Sequence, residues 1–246
     1  MPASPDTLGR TFGRVAEAYE RTRPEYPRAA VERAAVELAL KTDATVLDLG
    51  AGTGKLTRVL RDLFDDVTAV EPDDEMRAYV GGAARAGSAE LIPVEDGAVD
   101  AVFVGDAFHW FDPGPALAEI VRVLRPHGGL ALLWNRWGDE VEEPRLPPEF
   151  KADLDAIWKR FHPEPTNFPD WRDDVARSPF GPVGHAQFVQ AVRMPGSDLV
   201  DLWLTGSTPA TIDDADRAAI AERAYPLMAP EYELRIPTDV YWASLP

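Results

Sequence analysis

A glycine-rich stretch near residue 50 carries the clearest chemical signal in this sequence. It reads Asp48-Leu49-Gly50-Ala51-Gly52-Thr53-Gly54 and continues directly from a short apolar run. Glycines at three alternate positions let a backbone turn sharply and approach a bound molecule closely, at a cost in conformational entropy that needs a reason. We therefore expect a ligand-binding turn here, and the alternative is a tight turn that binds nothing.

Three kinds of nucleotide-binding loop compete to explain these glycines. A P-loop needs the pattern GxxxxGK[ST], but Leu49 stands where its first glycine belongs and Leu56 where Ser or Thr belongs. A dinucleotide fold needs GxGxxG, and here the third glycine comes one residue early. Asp48 would also place a negative charge beside the pyrophosphate of a dinucleotide. The same carboxylate suits a ligand with an ammonium group and no phosphate, which favours S-adenosylmethionine (SAM).

Glu71 is a second residue whose position suggests a binding role. It ends the apolar run Val67–Val70 and stands 21 residues after Gly50. An acid at the end of the second strand of such a fold can accept hydrogen bonds from both hydroxyls of a ribose. The alternative is a solvated acid before a turn at Pro72.

Asp106 and the aromatic stretch Phe108–Phe111 follow the apolar run Val99–Val104. Four bulky residues after a strand are costly to expose, so they either line a site or pack as core. Asp106 and His109 are the candidate catalytic residues, with His109 the candidate base because its reference pKa lies near neutrality. The face of Trp110 can stabilise a cationic sulfur by about 0.5–2 kcal/mol. Methyl transfer depends mainly on alignment of the reacting groups, so a base is not required.

The elements that must position these residues alternate between strands and helices along the first half of the chain. The predicted strands are Thr45–Leu49, Val67–Val70, the short extended piece Leu91–Pro93, Val99–Val104, Gly129–Trp134, Gln187–Arg193 and Glu233–Trp242. The first predicted helix lies in the segment Thr11–Tyr26 and ends at Pro24. The other predicted helices are Pro27–Leu40, Lys55–Phe64, Asp73–Arg85, Pro113–Leu124, Glu149–Phe161, Ser197–Leu204 and Asp213–Ala224. This order predicts an α/β fold with a doubly wound parallel sheet and a ligand at the carboxyl ends of its strands.

We expect one domain over residues 1–246, because no linker interrupts the chain. Within it, residues 1–41 form an N-terminal helical cap and residues 42–137 a SAM-binding core. Residues 138–184, rich in Pro, Trp and charge, form a variable substrate cover. The overlapping segment Trp134–Trp171, which we expect to roof the substrate pocket, carries Trp134, Trp137, Trp158 and Trp171. Residues 185–246 supply closing strands and helices, and we expect Trp203 and Trp242 in their core.

Composition excludes several classes of function. The formal net charge of −17 argues against a nucleic-acid surface, because such a field repels phosphate backbones. The absence of Cys excludes disulfides, thiolate nucleophiles and cysteine-based zinc sites. No apolar run is long enough for a membrane span, and the N-terminus lacks an apolar signal core, so we expect a cytoplasmic protein. The expected partner is a small-molecule substrate, and the sequence leaves monomer and homodimer open.

Five segments in order resemble the class I SAM-dependent methyltransferases, in particular the type 11 group that acts on small molecules. They are FGRVAEAYERTRPEYP, VLDLGAGTGKLTRVL, VTAVEPDDEM, GSAELIPVEDGAVDAVFVGDAFHWF and EIVRVLRPHGGLALLWN. The resemblance covers nearly the whole chain. It implies a Rossmann-like sheet of seven strands with an antiparallel last strand, supplied here by Glu233–Trp242, together with an N-terminal helical lid and a C-terminal cover.

The resemblance also implies roles for individual residues. The implied SAM-binding residues are Asp48, Gly50, Ala51, Gly52, Gly54, Glu71, Pro72, Met76, Ala89, Glu90, Asp106 and Ala107. The implied lid and substrate residues are Tyr19, Arg23, Tyr26, His109, Trp110 and Trp134. Arg23 can pair with the methionyl carboxylate, with an acidic substrate, or with a surface acid. Asp106 and Asn135 offer too few oxygen ligands for a divalent metal, so we expect none.

The expected reaction is direct displacement of a methyl group onto an O, N or C atom of a small molecule, with release of S-adenosylhomocysteine (SAH). Three alternatives remain. A nicotinamide-dependent oxidoreductase is disfavoured by Asp48 and by the lack of a Tyr-x-x-x-Lys constellation. An aminopropyltransferase would need more acids at the transfer site than Asp106. A non-catalytic SAM-fold binding or regulatory protein differs only on the substrate side.

Overall fold

The computed structural model describes residues 12–82, 84–136, 146–161, 171–206 and 208–246. Seven strands form one sheet: β1 (Thr45–Leu49), β2 (Asp66–Val70), β3 (Ala84–Arg85), β4 (Val99–Gly105), β5 (Leu124–Asn135), β6 (Gly184–Pro195) and β7 (Glu231–Ser244). Their order is β3-β2-β1-β4-β5-β7-β6, and β7 runs antiparallel to both of its neighbours. The structure therefore confirms the predicted mixed sheet with its antiparallel last strand.

Nine helices flank this sheet in the described ranges. They are α1 (Ala16–Thr22), α2 (Arg28–Glu37), α3 (Lys55–Arg61), α4 (Asp74–Val80), α5 (Pro113–Val123), α6 (Pro148–Phe161), α7 (Trp171–Arg177), α8 (Gly196–Leu204) and α9 (Asp214–Ala224). Short 3₁₀ turns lie at Phe12–Val15, Phe108–Trp110, Pro209–Thr211 and Tyr225–Leu227. None of these helices is long and apolar enough to cross a membrane.

The central strands are apolar because the sheet is covered on both faces. One face packs Leu47, Val102 and Leu132 against α5, and the other packs Val46, Phe103 and Leu133 against α2 and α3. Alternate residues of the same strands therefore enter different cores. This burial fixes the register of β1 and β4, and with it the positions of the loops that follow their carboxyl ends.

The predicted helix Asp73–Arg85 is wrong at its end. The helix stops at Val80, because Gly81 and Gly82 adopt φ values of 67° and 69°, which an α-helix cannot continue through. The third strand is then Ala84–Arg85, which pairs with β2, and not the extended piece Leu91–Pro93. In the described residues, Leu91 forms an isolated antiparallel β-bridge with Ser88 and is not part of a strand.

The cover over the carboxyl ends of the strands comes from two separate parts of the sequence. Helix α6 supplies one part, and helices α8 and α9 supply the other. Helix α6 packs with α8 and α9 around a small apolar cluster that includes Phe150, Val200 and Ile220. Helix α7 was not predicted. Residues 137–145 and 162–170 of the predicted cover, including Trp137, lie outside the described residues.

Ion pairs join the N-terminal helix α1 to the body of the protein on two sides. Arg21 pairs with Asp198 and Asp201 of α8. Glu20 pairs with Lys55 at 3.5 Å and with Arg58 at 3.1 Å, both on α3. Helix α1 is thereby held between the glycine-loop side and the cover.

Candidate functional site

The glycine turn between β1 and α3 has the backbone conformation that its sequence predicts. Gly50, Gly52 and Gly54 have φ values of 71°, 57° and 86°, in the left-handed region that favours glycine. A Cβ atom at Gly50 would also lie 2.8 Å from the Cβ atom of Ala107. The turn therefore depends on glycine for both its conformation and its close packing.

Asp48, the next-to-last residue of β1, is a buried carboxylate beside this turn. Its Oδ2 accepts a hydrogen bond of 2.5 Å from the hydroxyl of Thr57. Its Oδ1 is buried and has no hydrogen-bond partner among the described residues. Burial raises the pKa of Asp48 to about 7. A buried acceptor without a partner is costly, so this oxygen fits a ligand that brings a cationic or N–H donor.

Glu71 is held in place by the backbone. Its Oε2 accepts from the N–H of Gly52 at 2.8 Å, and its Oε1 accepts from the N–H of Asp73 at 2.9 Å. Burial raises the pKa of Glu71, and the two backbone hydrogen bonds oppose that shift. Each carboxylate oxygen keeps a further lone pair, so Glu71 can accept from two neighbouring hydroxyls of a ligand.

A first cavity of about 1050 Å³, counted with its open mouth, joins these groups. It is lined by eleven of the twelve predicted SAM-binding residues; the exception, Gly54, packs instead against Val80. The structure adds lining residues that the sequence analysis did not assign to SAM binding: Lys55, Leu56, Gly87, Ser88, Gly105 and Phe111. Gly87 and Ser88 directly precede the predicted Ala89 and Glu90, so the segment was found but its extent was not.

Asp106 lies after β4 in a strained conformation, with a φ of 49°. Its Oδ2 accepts from the hydroxyl of Tyr26 at 2.8 Å and from the N–H of Asn135 at 3.4 Å. Burial raises the pKa of Asp106 to about 6, while the Tyr26 hydrogen bond and the charge of Arg23 oppose the shift. Asp106 is thus largely ionised at neutral pH but can hold a proton slightly below it.

His109 and Trp110 form the turn that follows Asp106, with ring centroids 4.6 Å apart. The outer side of His109 reaches solvent, yet desolvation by the surrounding residues lowers its pKa to about 4. The imidazole is therefore neutral at pH 7 and a weak base. Between the two predicted catalytic residues, Asp106 has the pKa better matched to proton transfer near neutrality.

The predicted lid residues Tyr19, Arg23 and Tyr26 lie over the same region. Tyr19 and Tyr26 line the first cavity. Arg23 donates through Nε to the hydroxyl of Thr205 at 3.3 Å, and its guanidinium lies 5.1 Å from the centroid of the Tyr19 ring. The N-terminal segment and α8 are therefore joined above the cavity.

A second cavity of about 1220 Å³ opens beside the first. The two share Tyr19, Asp106 and Trp110 as lining residues. The rest of the second cavity is lined by Arg23, His109, Leu154, Asp155, Trp158, Leu202, Trp203, Gly206, Thr208 and Pro209. The placement of Trp203 corrects the expectation of a purely core residue, because this residue of α8 lines the cavity and also packs against the apolar cluster around Phe150.

Trp134 is placed elsewhere. Its indole stacks on Trp171 at 4.9 Å between centroids and meets the edge of Tyr241 at 5.7 Å. It lines neither of the two cavities, because alternate residues of β5 face opposite sides of the sheet. In the part of the chain described, no three side chains of His, Asp or Glu gather into a potential metal site.

Comparison with known families identifies the core of this architecture. Residues 47–132, from β1 to β5, match the model of a family described as a methyltransferase domain. An uncharacterised methyltransferase of Mycobacterium tuberculosis is 46% identical over 140 residues, which are 55% of this chain and 56% of the relative. The malonyl-[acyl-carrier protein] O-methyltransferase of Pectobacterium atrosepticum is 35% identical over 130 residues, 50% of this chain and 51% of the relative. The chain spans about half the length of the curated relatives it matches.

Solved structures show the same fold over almost the whole chain. A structure from Anaeromyxobacter dehalogenans, provisionally named a type II methyltransferase, has a TM-score of 0.60 at 24% identity and covers 91% of this chain and 97% of its own. A phosphoethanolamine N-methyltransferase of Haemonchus contortus, solved with SAH, has a TM-score of 0.54 at 16% identity and covers 94% and 57%. Residues 47–132 thus match a methyltransferase domain, and the chain shares the Rossmann-like fold of these structures.

Proposed function

We propose that this chain, whose residues 47–132 form a methyltransferase domain, is a SAM-dependent methyltransferase that acts on a small molecule. One observation carries the proposal furthest. The buried Oδ1 of Asp48 has no partner among the described residues, and Asp48 and Glu71 line the same cavity. Two fixed acceptors and a glycine turn fit a ligand with an ammonium group and a ribose.

The residues of the first cavity divide the binding of SAM between them. Asp48 would accept from the methionyl ammonium, and Glu71 from the ribose hydroxyls. Pro72, Met76, Ala89 and Glu90 would surround the adenine. SAM supplies a methyl group on a cationic sulfur and leaves as SAH.

The chain's own contribution to transfer is alignment and exclusion of water. The two cavities meet at Tyr19, Asp106 and Trp110, so an acceptor atom would lie at this junction. Trp110 offers an aromatic face to a cation there. Asp106, held by the hydroxyl of Tyr26, can accept a proton from the acceptor group. Neutral His109 would contact the substrate as an uncharged wall of the second cavity.

The first experiment is a thermal melting assay with SAM, SAH, decarboxylated SAM and NAD, each in excess. A ligand at about 100 times its Kd adds about 2.7 kcal/mol to the folded state, which raises the Tm by a few degrees at this chain length. We expect shifts with SAM and SAH alone. A response to decarboxylated SAM would support an aminopropyltransferase and one to NAD an oxidoreductase, while no response would leave a non-catalytic relative of the fold.

A matched pair of variants separates binding at the site from general effects on stability. Asp48→Asn keeps the volume of the side chain and removes the charge that would meet the ammonium. Asp65→Asn removes an acid ahead of β2 that lines neither cavity. The proposal requires that only the first variant loses the SAM shift.

A further inference from the structure

The methyltransferase assignment does not say which acceptor is methylated. The residues that line the second cavity narrow the class of acceptor. We propose that the acceptor is the nitrogen of an amine with a flat apolar body, which binds in the second cavity with its amino group beside Asp106. This inference rests on the proposed function, because it places the acceptor next to the SAM cavity.

The walls of the second cavity favour an apolar body. Tyr19, Trp110, Trp158 and Trp203 present aromatic side chains to it, and Leu154 and Leu202 add aliphatic surface. Trp158 is 47% exposed, which is unusual for a tryptophan and leaves much of its indole available for contact. A flat ring or short hydrocarbon chain would bury this surface. Aromatic faces also attract an ammonium group.

The charges among the described lining residues favour a cation over an anion. Asp106 lies at the junction of the two cavities and Asp155 lines the second alone, while Arg23 is the cation among these residues. Arg23 already contacts the hydroxyl of Thr205 and the ring of Tyr19, and its charge acts on Asp106. Asp155 is 54% exposed and makes a long ion pair of 3.5 Å with Lys151. The acidic side chains that line this cavity therefore outnumber the basic one, so the local charge that a substrate meets is negative.

Asp106 decides between an amine and a carboxylate as the acceptor. A carboxylate acceptor at the junction would face the Asp106 carboxylate and be repelled by it. An ammonium group there would be attracted, and its proton would pass to Asp106, which the hydroxyl of Tyr26 holds in place. The nitrogen lone pair would then form the N–C bond as the C–S bond breaks, with its electron pair going to sulfur. The product leaves as the methylated ammonium, and Asp106 returns its proton to water when the cavities open, so one proton is released per turnover.

The experiment compares compounds that match in shape and differ in charge. Purified protein with SAM is incubated with 2-phenylethylamine or tryptamine, and with the matched acids 3-phenylpropanoate or indole-3-propanoate. SAH release and the mass of the methylated product are measured. We expect kcat/KM for the amines to exceed that for the acids by at least about tenfold, the size of one favourable charge interaction at a partly buried site. Preferred methylation of the acids, or no methylation or binding of any amine, would overturn the inference.

Variants on α6 give a second readout. Asp155→Asn should raise KM for the amines about two- to fivefold and leave kcat nearly unchanged, as expected for an exposed charge pair. Glu149→Gln, which removes an exposed acid of α6 outside the cavity, is the matched control. An equal effect of the two variants would count against a role for Asp155.

Calorimetry with SAM on the same samples tests the SAM-dependent function separately from the amine substrate class. Failure of the amines with intact SAM binding would contradict only the substrate class. If the unmodified protein does not bind SAM, the proposed function itself is contradicted.

Discussion

Asp48 is the residue whose chemistry depends most on a ligand. It is fully buried, and one of its oxygens lacks a partner among the described residues. Its folded-state pKa of about 7 lies above the ordinary aspartate pKa of 3.8, so the folded protein binds more protons than the unfolded chain between these values. Its contribution to stability is therefore fully present below the unfolded pKa and is lost as the pH rises through 7.

The first prediction follows from this sign. Between pH 5 and pH 8 Asp48 should lower the free energy of unfolding of the unliganded protein by about 2–3 kcal/mol, at about 1.4 kcal/mol per pH unit up to its folded pKa. Asp48→Asn should reduce that loss by the same amount. Urea unfolding at both pH values measures it. An unchanged pH dependence in the variant would show that Asp48 is ionised in the folded protein with little cost.

The second prediction concerns Glu71. Glu71→Ala should weaken SAM binding about 10- to 100-fold, because it removes two charged acceptors and frees the N–H groups of Gly52 and Asp73. Glu71→Gln should have a smaller effect, since one acceptor oxygen remains. Calorimetry with SAM measures both, and Glu75→Gln, an exposed acid of α4, is the control. Unchanged affinity in Glu71→Ala would remove Glu71 from the ribose site.

The third prediction assigns the pH dependence of turnover. Asp106 has a pKa of about 6 and His109 a pKa of about 4, so kcat/KM should fall about tenfold per pH unit below pH 6. The groups that face Asp106 are the hydroxyl of Tyr26, the charge of Arg23 and the N–H of Asn135. Asp106→Asn should remove the inflection, whereas His109→Ala should keep it and lower turnover more than SAM affinity. An inflection that moves with His109 would make His109 the base.

At the scale of elements, helix α1 is the part that joins the two cavities. Its Tyr19 lines both, and Arg21 and Glu20 fasten the helix to α8 and α3. The side chain of Arg21 is 47% exposed, so each of its ion pairs is worth at most about 1 kcal/mol. The helix is thus held by several weak contacts that can open and re-form.

The fourth prediction tests this arrangement. Arg21→Ala should weaken SAM binding about two- to tenfold and increase cleavage near α1 in limited proteolysis. Arg28→Ala removes an exposed ion pair within α2, to Glu32, and is the matched control. Equal effects of the two substitutions would show that α1 does not need Arg21 to cover the cavities.

The sequence predicted the strands and the glycine turn because each depends on local chemistry. Short apolar runs place β1, β2, β4 and β5, and Asp48, Glu71 and Asp106 are found near the ends of three of these strands. The short strand β3 was missed because only two residues pair, after a helix that glycines stop. Trp134 was assigned to the site as the last residue of the predicted strand Gly129–Trp134, but the face of the sheet that its side chain occupies depends on the register of β5. The position of Trp203 at the second cavity depends on the packing of α8 against α6, which no local sequence pattern reveals.

At the scale of the whole molecule, the sheet provides a rigid edge and the cover provides selectivity. The family match ends at residue 132, whereas the second cavity is lined largely by residues from 154 onwards. The part of the chain that would select the acceptor therefore lies mostly outside the matched domain. This division explains why the sequence predicts the cofactor more closely than the substrate.

The fifth prediction uses the net charge of −17. SAM carries a cationic sulfur and SAH does not, so the two differ by one charge in the same negative field. Raising the salt concentration from about 0.05 M to about 0.5 M should weaken SAM binding more than SAH binding, since salt screens the additional attraction. Opening of α1 would affect both ligands alike, so the ratio of their Kd values is the measurement. A constant ratio would show that the field does not reach the sulfur.

The placement of the tryptophans gives the protein an optical reporter. Trp110 belongs to both cavities, and Trp158 and Trp203 belong to the second, whereas Trp134 and Trp171 stack on each other away from both. Intrinsic fluorescence will therefore contain one part that senses ligands and one that serves as a steady background. Replacing Trp110 by Phe isolates the signal of the junction, so the order in which cofactor and acceptor enter can be followed in stopped flow without an added label.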